Sequence, residues 1–95
     1  MSGTTRSSEG LDQRRRKLLF RSWHRGMREM DLIMGRFADS ALAELTETEL
    51  ADFERLIELP DRDLLAWVTG EAAVPQDVDS VVFRRMRDFH FSSKG

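Results

Sequence analysis

The 95-residue sequence contains no cysteine, and none of its apolar runs is longer than a few residues. Without cysteine there can be no disulfide, thiolate metal site, redox dithiol or catalytic thiol, which excludes those classes of enzyme. A membrane-spanning helix needs ~20 consecutive apolar residues, so we expect no direct membrane insertion. Glu9 and Asp12 stand in the only candidate for a transit peptide, a class poor in acidic residues, so we predict a bacterial cytoplasmic protein.

The sequence also lacks the common catalytic and metal-binding motifs. It has neither of the glycine-rich phosphate-binding loops, and it has no nucleophile elbow of the hydrolase type. The only histidines, His24 and His90, have no second histidine or carboxylate at a spacing that builds a metal triad. We therefore predict no catalytic residues, no metal site and no stably bound cofactor.

Apolar residues make up 40% of the chain and charged residues 34%, a balance typical of a globular domain. Residues 1–10 hold no apolar residue after Met1, and residues 92–95 are polar, so both segments are predicted to be disordered tails. The folded domain is predicted to span 11–91. A domain this small buries only ~60 to 65% of the surface of its unfolded chain, which favours a functional site on the surface.

The net charge of −2 conceals an uneven distribution of charge. Residues 1–28 contain eight basic and two acidic residues, residues 29–79 three and fourteen, and residues 80–95 four and one. The basic run 14–17 could be a footprint for nucleic acid. Because the pI is near 5.7 and no nucleic-acid motif accompanies the run, a solvated face or one that attracts an acidic partner fits better, and we expect no nucleic-acid binding.

Apolar residues recur in steps of three and four, the spacing of one helix face, and no segment alternates as a strand does. The apolar faces consist of Leu19, Trp23, Met27, Met30, Met34 and Phe37; Leu50, Phe53, Leu56 and Ile57; Leu64, Leu65, Trp67 and Val68; and Val78, Val82, Met86 and Phe89. We predict an all-α fold, a compact antiparallel bundle of about five short helices in a single domain, with Met34 and Trp67 in the core.

Residues that begin and end helices mark the boundaries of these segments. Thr46 with Glu49 forms the capping-box pattern of a helix start, and Pro60 prevents that helix from continuing. Gly70 is predicted to end the following helix. The predicted N-caps of the later helices are Asp61 and either Asp77 or Asp79.

The segment 25–29 interrupts the first apolar face. Gly26 would cost ~1 kcal/mol relative to alanine inside a helix, so we expect two helices to meet near Arg25 and Gly26. The pattern alone leaves two interpretations open. Arg25 and Glu29 could form a surface ion pair one helical turn apart, beside a simple joint. Alternatively, the bare backbone of Gly26 could let another protein approach closely while the two charged side chains bind it.

The residues around this joint resemble a known family signature. The sequences RGMRE at 25–29 and GRF at 35–37 resemble the RGxxE-centred signature of the SdhE family of flavinators, called succinate dehydrogenase assembly factor 2 in eukaryotes. The sequence LPDRDLLAWVTG at 59–70 is similar to a second block of that family, in the same order and spacing. The similarity runs from about Arg14 to Phe89.

This resemblance implies an all-α assembly factor, not an enzyme, that binds the flavoprotein subunit of succinate dehydrogenase and, in some bacteria, of fumarate reductase. It implies that FAD becomes covalently attached to a histidine of that partner. Carried over by position, the partner-binding residues are Arg25, Gly26 and Glu29, with Met27 and Asp31 beside them. We expect a monomer. The alternatives are an antitoxin-like or regulatory protein that binds through its acidic face, and a small nucleic-acid-binding helical domain.

Overall fold

The computed structural model describes residues 10–94, which form five α-helices and one short 3-10 helix. Helix α1 spans Gln13–Trp23, α2 Arg28–Ala41, α3 Glu47–Ile57, α4 Asp61–Thr69 and α5 Val81–Lys94, with the 3-10 helix at Leu42–Glu44. The described part of the chain contains no strand. The predicted all-α fold of about five helices is confirmed.

The predicted domain boundaries at 1–10, 11–91 and 92–95 stay predictions. Residues 1–9 and 95 lie outside the described residues, so that only Gly10 of the first predicted tail is described. At the other end, α5 continues to Lys94. Helical structure therefore extends into the segment that the sequence assigns to the second tail.

Helix α2 lies at the centre of the bundle and packs against α1, α4 and α5, while α3 packs against α1 and α5. Met34 of α2 is completely buried, which confirms it as a core residue. Phe37, one turn further on, packs against the rings of Phe53 and Phe89 at centroid distances of 5.9 and 6.0 Å. Trp67 is only half-buried and packs against the edge of this core.

The predicted start of α3 and the predicted end of α4 are confirmed. Thr46 Oγ1 accepts the backbone N–H of Glu49 at 3.2 Å, and Glu49 Oε1 accepts the backbone N–H of Thr46 at 3.0 Å, so both bonds of the capping box are formed. Gly70 ends α4 with a left-handed φ of +84°. These bonds connect residues at most three apart, which is why the sequence predicts them.

The predicted N-cap of α5 at Asp77 or Asp79 is wrong. Ser80 Oγ accepts the backbone N–H of Phe83 at 3.1 Å, so Ser80 caps the helix. Asp79 instead accepts from Arg84 Nε at 2.8 Å, and this bond lowers the pKa of the Asp79 carboxyl from its usual 3.8. Arg84, on the first turn of α5, binds the Asp79 carboxylate, so the neighbouring hydroxyl of Ser80 caps the helix instead.

The basic run 14–17 is divided between internal contacts and solvent. Arg14 Nε and Nη2 donate to the two carboxylate oxygens of Glu54 at 2.9 and 2.7 Å, and this bidentate bond lowers the pKa of Glu54 from its usual 4.5. Arg15 donates to the carbonyl oxygens of Leu42 and Leu45 at 3.0 and 2.7 Å. Half of the run therefore fastens α1 to the bundle and is not a free cationic surface.

Candidate functional site

The joint between α1 and α2 is the part of the structure to which the sequence signature belongs. Helix α1 ends at Trp23 and α2 begins at Arg28, so residues 24–27 connect them. Gly26 adopts a φ of +104°, a backbone conformation that residues with a Cβ rarely adopt. The prediction that two helices meet near Arg25 and Gly26 is confirmed.

The side chain of Arg25 points into the protein, and only 8% of it is exposed. Its Nε donates to Asp61 Oδ1 at 2.6 Å, its Nη2 to the carbonyl oxygen of Leu59 at 2.6 Å, and its Nη1 to the carbonyl oxygen of Ile57. Ile57 is the last residue of α3, where a helix leaves carbonyl oxygens without partners, and Leu59 lies in the connection to α4. These four groups, which we call the Arg25 cluster, hold the joint against the end of α3 and the start of α4.

The contacts of Arg25 exclude one of the two interpretations of the joint, and the predicted N-cap at Asp61 is wrong. Arg25 pairs with Asp61, 36 positions along the chain, and not with Glu29 one turn away. Pro60 takes the N-cap position of α4, and Asp61 is the first helical residue, so its carboxylate does not cap the helix. A guanidinium buried to this degree needs a charged partner because an unpaired buried charge is costly, and the packing of α4 supplies the Asp61 carboxylate.

Asp31 holds the backbone of the joint from the first turn of α2. Its Oδ1 accepts the backbone N–H of Arg25 at 2.5 Å, and its own backbone N–H donates to the carbonyl oxygen of Met27 at 2.9 Å. Its negative charge also interacts favourably with the positive end of the helix dipole. Of the predicted partner-binding residues, Arg25 and Asp31 are therefore engaged within the chain itself.

The other three predicted residues, Gly26, Met27 and Glu29, are more accessible. Gly26 and Glu29 are exposed, and Met27 is half-buried against the core. A Cβ placed on Gly26 would meet no atom within 4 Å beyond its chain neighbours, so the backbone there is open to another molecule. Neither Glu29 nor the exposed Arg28 forms an ion pair with a residue in the described range. We call Gly26, Met27, Arg28 and Glu29 the joint surface.

A contact between α1 and α2 that the sequence did not predict supports the joint from within. Trp23, at the end of α1, is 6% exposed and lies against Gly35 of α2, where a Cβ would come within 2.3 Å of Trp23 Cδ2. Only glycine lets the indole ring approach the α2 backbone this closely. The available signal was a glycine in the middle of a predicted helix, which costs ~1 kcal/mol unless packing requires it.

The joint surface offers a carboxylate, a guanidinium, a thioether and bare backbone. Such groups bind another protein through hydrogen bonds, ion pairs and apolar contact. Within residues 10–94, no three histidine, aspartate or glutamate side chains lie close enough together to hold a metal ion. None of the helices in that range is long and apolar enough to cross a membrane.

Replacing Arg25 by lysine should lower the free energy of unfolding by about 1 to 2 kcal/mol. A single ammonium cannot donate to a carboxylate and two carbonyl oxygens in the fork geometry of a guanidinium, so part of the Arg25 cluster would lose its partners. Urea denaturation would measure the change. Arg28→Lys is the matched control, and it should stay within about 0.5 kcal/mol of wild type because Arg28 is exposed. Equal stability of the two variants would contradict the role of the cluster.

A family model and individual relatives both indicate the same family for this chain. The family model described as the flavinator of succinate dehydrogenase, Sdh5, matches residues 16–90. The chain is 38% identical over 74 residues to the mitochondrial succinate dehydrogenase assembly factor 2 of Dictyostelium discoideum, covering 78% of this chain and 52% of that protein. It is 36% identical over 80 residues to the FAD assembly factor SdhE of Acetobacter pasteurianus, covering 84% and 73%. The chain thus spans about half the length of the first relative and about three quarters of the second.

Proposed function

This chain belongs to the Sdh5 family, the flavinators of succinate dehydrogenase, and from that membership we propose that it binds the flavoprotein subunit of succinate dehydrogenase and promotes covalent attachment of FAD to it. The family match at 16–90 includes the joint surface and the whole Arg25 cluster. One relative is named as a succinate dehydrogenase assembly factor and the other as an FAD assembly factor. The carboxylate, guanidinium, thioether and bare backbone of the joint surface are also groups that can bind another protein.

The observation that carries the proposal is an outward-facing joint surface on a firmly held backbone. Gly26 offers bare backbone and Glu29 an exposed carboxylate without an ion-pair partner among the described residues. Arg25 and Asp31 hold the same segment by hydrogen bonds to α3, α4 and the joint backbone. A preorganised surface loses less conformational entropy on binding. Under this proposal Gly26, Met27 and Glu29 contact the partner, while Arg25 and Asp31 keep the surface in shape.

The proposed mechanism is conformational, and the chain is not an enzyme. A binding protein accelerates a reaction within its partner when it favours the conformation in which the reacting groups are already aligned. The histidine that becomes bonded to FAD belongs to the flavoprotein, and this chain carries no cofactor of its own. We propose that the chain acts as a monomer in the bacterial cytoplasm. We also propose the related flavoprotein of fumarate reductase as a second partner.

Covalent flavin on the succinate dehydrogenase flavoprotein should fall in cells that lack this chain and return when the wild-type chain is supplied. The Glu29→Ala variant should restore it about tenfold less well, because a hydrogen bond to a charged group contributes ~1.5 kcal/mol or more. Flavin fluorescence of the flavoprotein band after a denaturing gel measures the covalent product. Lack of any effect from removing the chain would show that the proposed function is wrong.

The matched control for this experiment is Glu71→Ala. Glu71 lies just after α4, is exposed like Glu29, and has no ion-pair partner among the described residues. The nine residues of α4, about 14 Å of helix, separate Glu71 from Asp61 at the joint, so its loss should leave flavinylation at the wild-type level. If Glu29→Ala restores covalent flavin as well as Glu71→Ala does, the joint surface is not the contact.

A further inference from the structure

Phe20 on α1 is the most exposed large apolar side chain of the described residues, with 63% of its surface accessible. The buried positions of α1 are Leu18, Leu19, Ser22 and Trp23, so Phe20 is not part of the face that packs on the bundle. A single exposed apolar residue is common on protein surfaces. What distinguishes Phe20 is the set of groups around it.

The ring of Phe20 is already held in place by His24. The two rings stack with centroids 4.0 Å apart and planes 15° from parallel. His24 Nδ1 lies 2.7 Å from the carbonyl oxygen of Phe20, and because a carbonyl oxygen only accepts, Nδ1 must carry a proton. This bond fixes the imidazole ring and leaves Nε2 for a partner. The stacked pair, which we call the platform, presents the outer faces and edges of the two rings and loses little freedom on binding.

Two cations that have no ion-pair partner among residues 10–94 adjoin this platform. Arg14 and Arg15 already bind the Glu54 carboxylate and backbone carbonyl oxygens of the bundle. Arg16 and Lys17 are both exposed and form no ion pair with a described residue. They stand four and three positions before Phe20, which places them on its side of the helix. Their charge attracts an acidic partner and repels a basic one.

The platform lies where two open hollows meet. One, of about 440 Å³, is lined by Arg16, Lys17, Phe20 and Arg21 together with Gln13. The other, of about 410 Å³, shares Phe20 and Arg21 and continues past His24 to Arg25 and Asp61. The surface therefore runs without interruption from the outer face of α1 to the Arg25 cluster behind the joint.

We propose that Arg16, Lys17, Phe20 and His24, which we call the α1 face, form a second docking surface that binds an acidic segment of the flavoprotein partner. This inference rests on the proposed function, since it names the partner of the joint surface as the occupant. An aromatic ring of the platform supplies apolar contact, and the two cations pair with carboxylates of the segment. His24 and Gly26 are both exposed and lie two positions apart in the connection between α1 and α2, so the α1 face adjoins the joint surface and one partner can cover both.

The test measures the dissociation constant between this chain and the purified flavoprotein subunit of succinate dehydrogenase before FAD is covalently attached. Phe20→Ala should weaken binding about tenfold at every salt concentration, since exposed aromatic anchors contribute through contact area. Arg16→Glu combined with Lys17→Glu should weaken it about thirtyfold at roughly 50 mM NaCl and less than about threefold at roughly 500 mM, because salt screens exposed charges.

Matched controls come from α5. Phe91 is 51% exposed and adjoins His90 at a ring distance of 5.2 Å, and Arg84 is an exposed arginine paired with Asp79. Phe91→Ala and Arg84→Glu should bind within about twofold of wild type, because neither lies on the α1 face. Effects equal to those of the α1-face variants would mean that any lost aromatic or charge weakens binding, which overturns the proposal.

The outcomes separate the two proposals. If both α1-face variants bind like wild type while Gly26→Arg does not, the α1 face is not a docking surface and the proposed function stands. If the wild-type chain itself does not bind the flavoprotein, both proposals are wrong. If sedimentation shows that the wild-type chain dimerises and the α1-face variants do not, the occupant is a second copy and the acidic segment is rejected.

Discussion

Replacing Gly26 by arginine should leave the protein folded and lower its support of covalent flavinylation by at least about a hundredfold. The φ of +104° means that any side chain here strains the backbone, at a cost of about 1 to 3 kcal/mol, more than a simple helix joint would imply. That cost is a fraction of the ~5 to 15 kcal/mol by which domains are usually stable. The new side chain would project from an open position into the space that the partner must occupy.

Gly26→Ala is the control that separates backbone strain from obstruction. It imposes the same φ penalty, and its methyl group meets nothing within 4 Å in the free protein. Thermal melts should therefore show similar stability for the two variants, while the flavin fluorescence assay should show much greater activity for alanine than for arginine. Equal loss of activity in both would mean that the glycine serves only the conformation of the joint, and the contact assignment would be wrong.

Replacing Gly35 by alanine should lower the melting temperature by about 10 to 20 °C. The added Cβ would lie 2.3 to 2.6 Å from three atoms of the Trp23 ring, well inside contact distance. Trp23 is 6% exposed, so the ring has no free space to move into without separating α1 from α2. Overpacking of this kind costs about 1 to 3 kcal/mol or more, and each kcal/mol shifts the melting temperature of so small a domain by about 4 to 8 °C.

A double-mutant cycle would assign that loss to the contact between the two residues. Trp23→Leu replaces the rigid ring by a smaller side chain that can turn away from α2. In the Trp23→Leu background, Gly35→Ala should cost much less than it does in the wild type, giving a coupling of about 1 kcal/mol or more. Wild-type stability of the Gly35→Ala single variant would show that the ring yields easily, and that Gly35 is not required for the approach of α1 to α2.

Much of the helical architecture is predictable from the sequence because it depends on residues close together in the chain. The capping box of Thr46 and Glu49 is formed as the spacing predicts, and Gly70 ends α4 in a left-handed conformation. The period of the apolar residues identifies the buried faces, and Gly26 marks the joint. Each of these signals depends on residues within about one helical turn of each other, so the structure it produces can be predicted from the sequence alone.

The candidate site was predictable as a segment but not in its geometry. The sequence indicates 25–29 as the place, and resemblance to a family indicates what that place does. Nothing local shows that Arg25 points inward while Gly26 and Glu29 remain exposed. One of the two interpretations open from the sequence paired Arg25 with Glu29 one turn away. In the structure a carboxylate and two carbonyl groups surround the guanidinium away from water instead.

What the sequence by itself determined is therefore the set of helices, their buried faces, the joint and the family. Only the tertiary structure decided which charges meet: Arg25 with Asp61, Arg14 with Glu54, and Arg16 with no described partner. The physical reason is that periodicity tells which face of a helix is buried but not which helix covers it. Only the packing of the helices decides which partner a long charged side chain meets. The same packing decides that the Trp23 ring lies against Gly35.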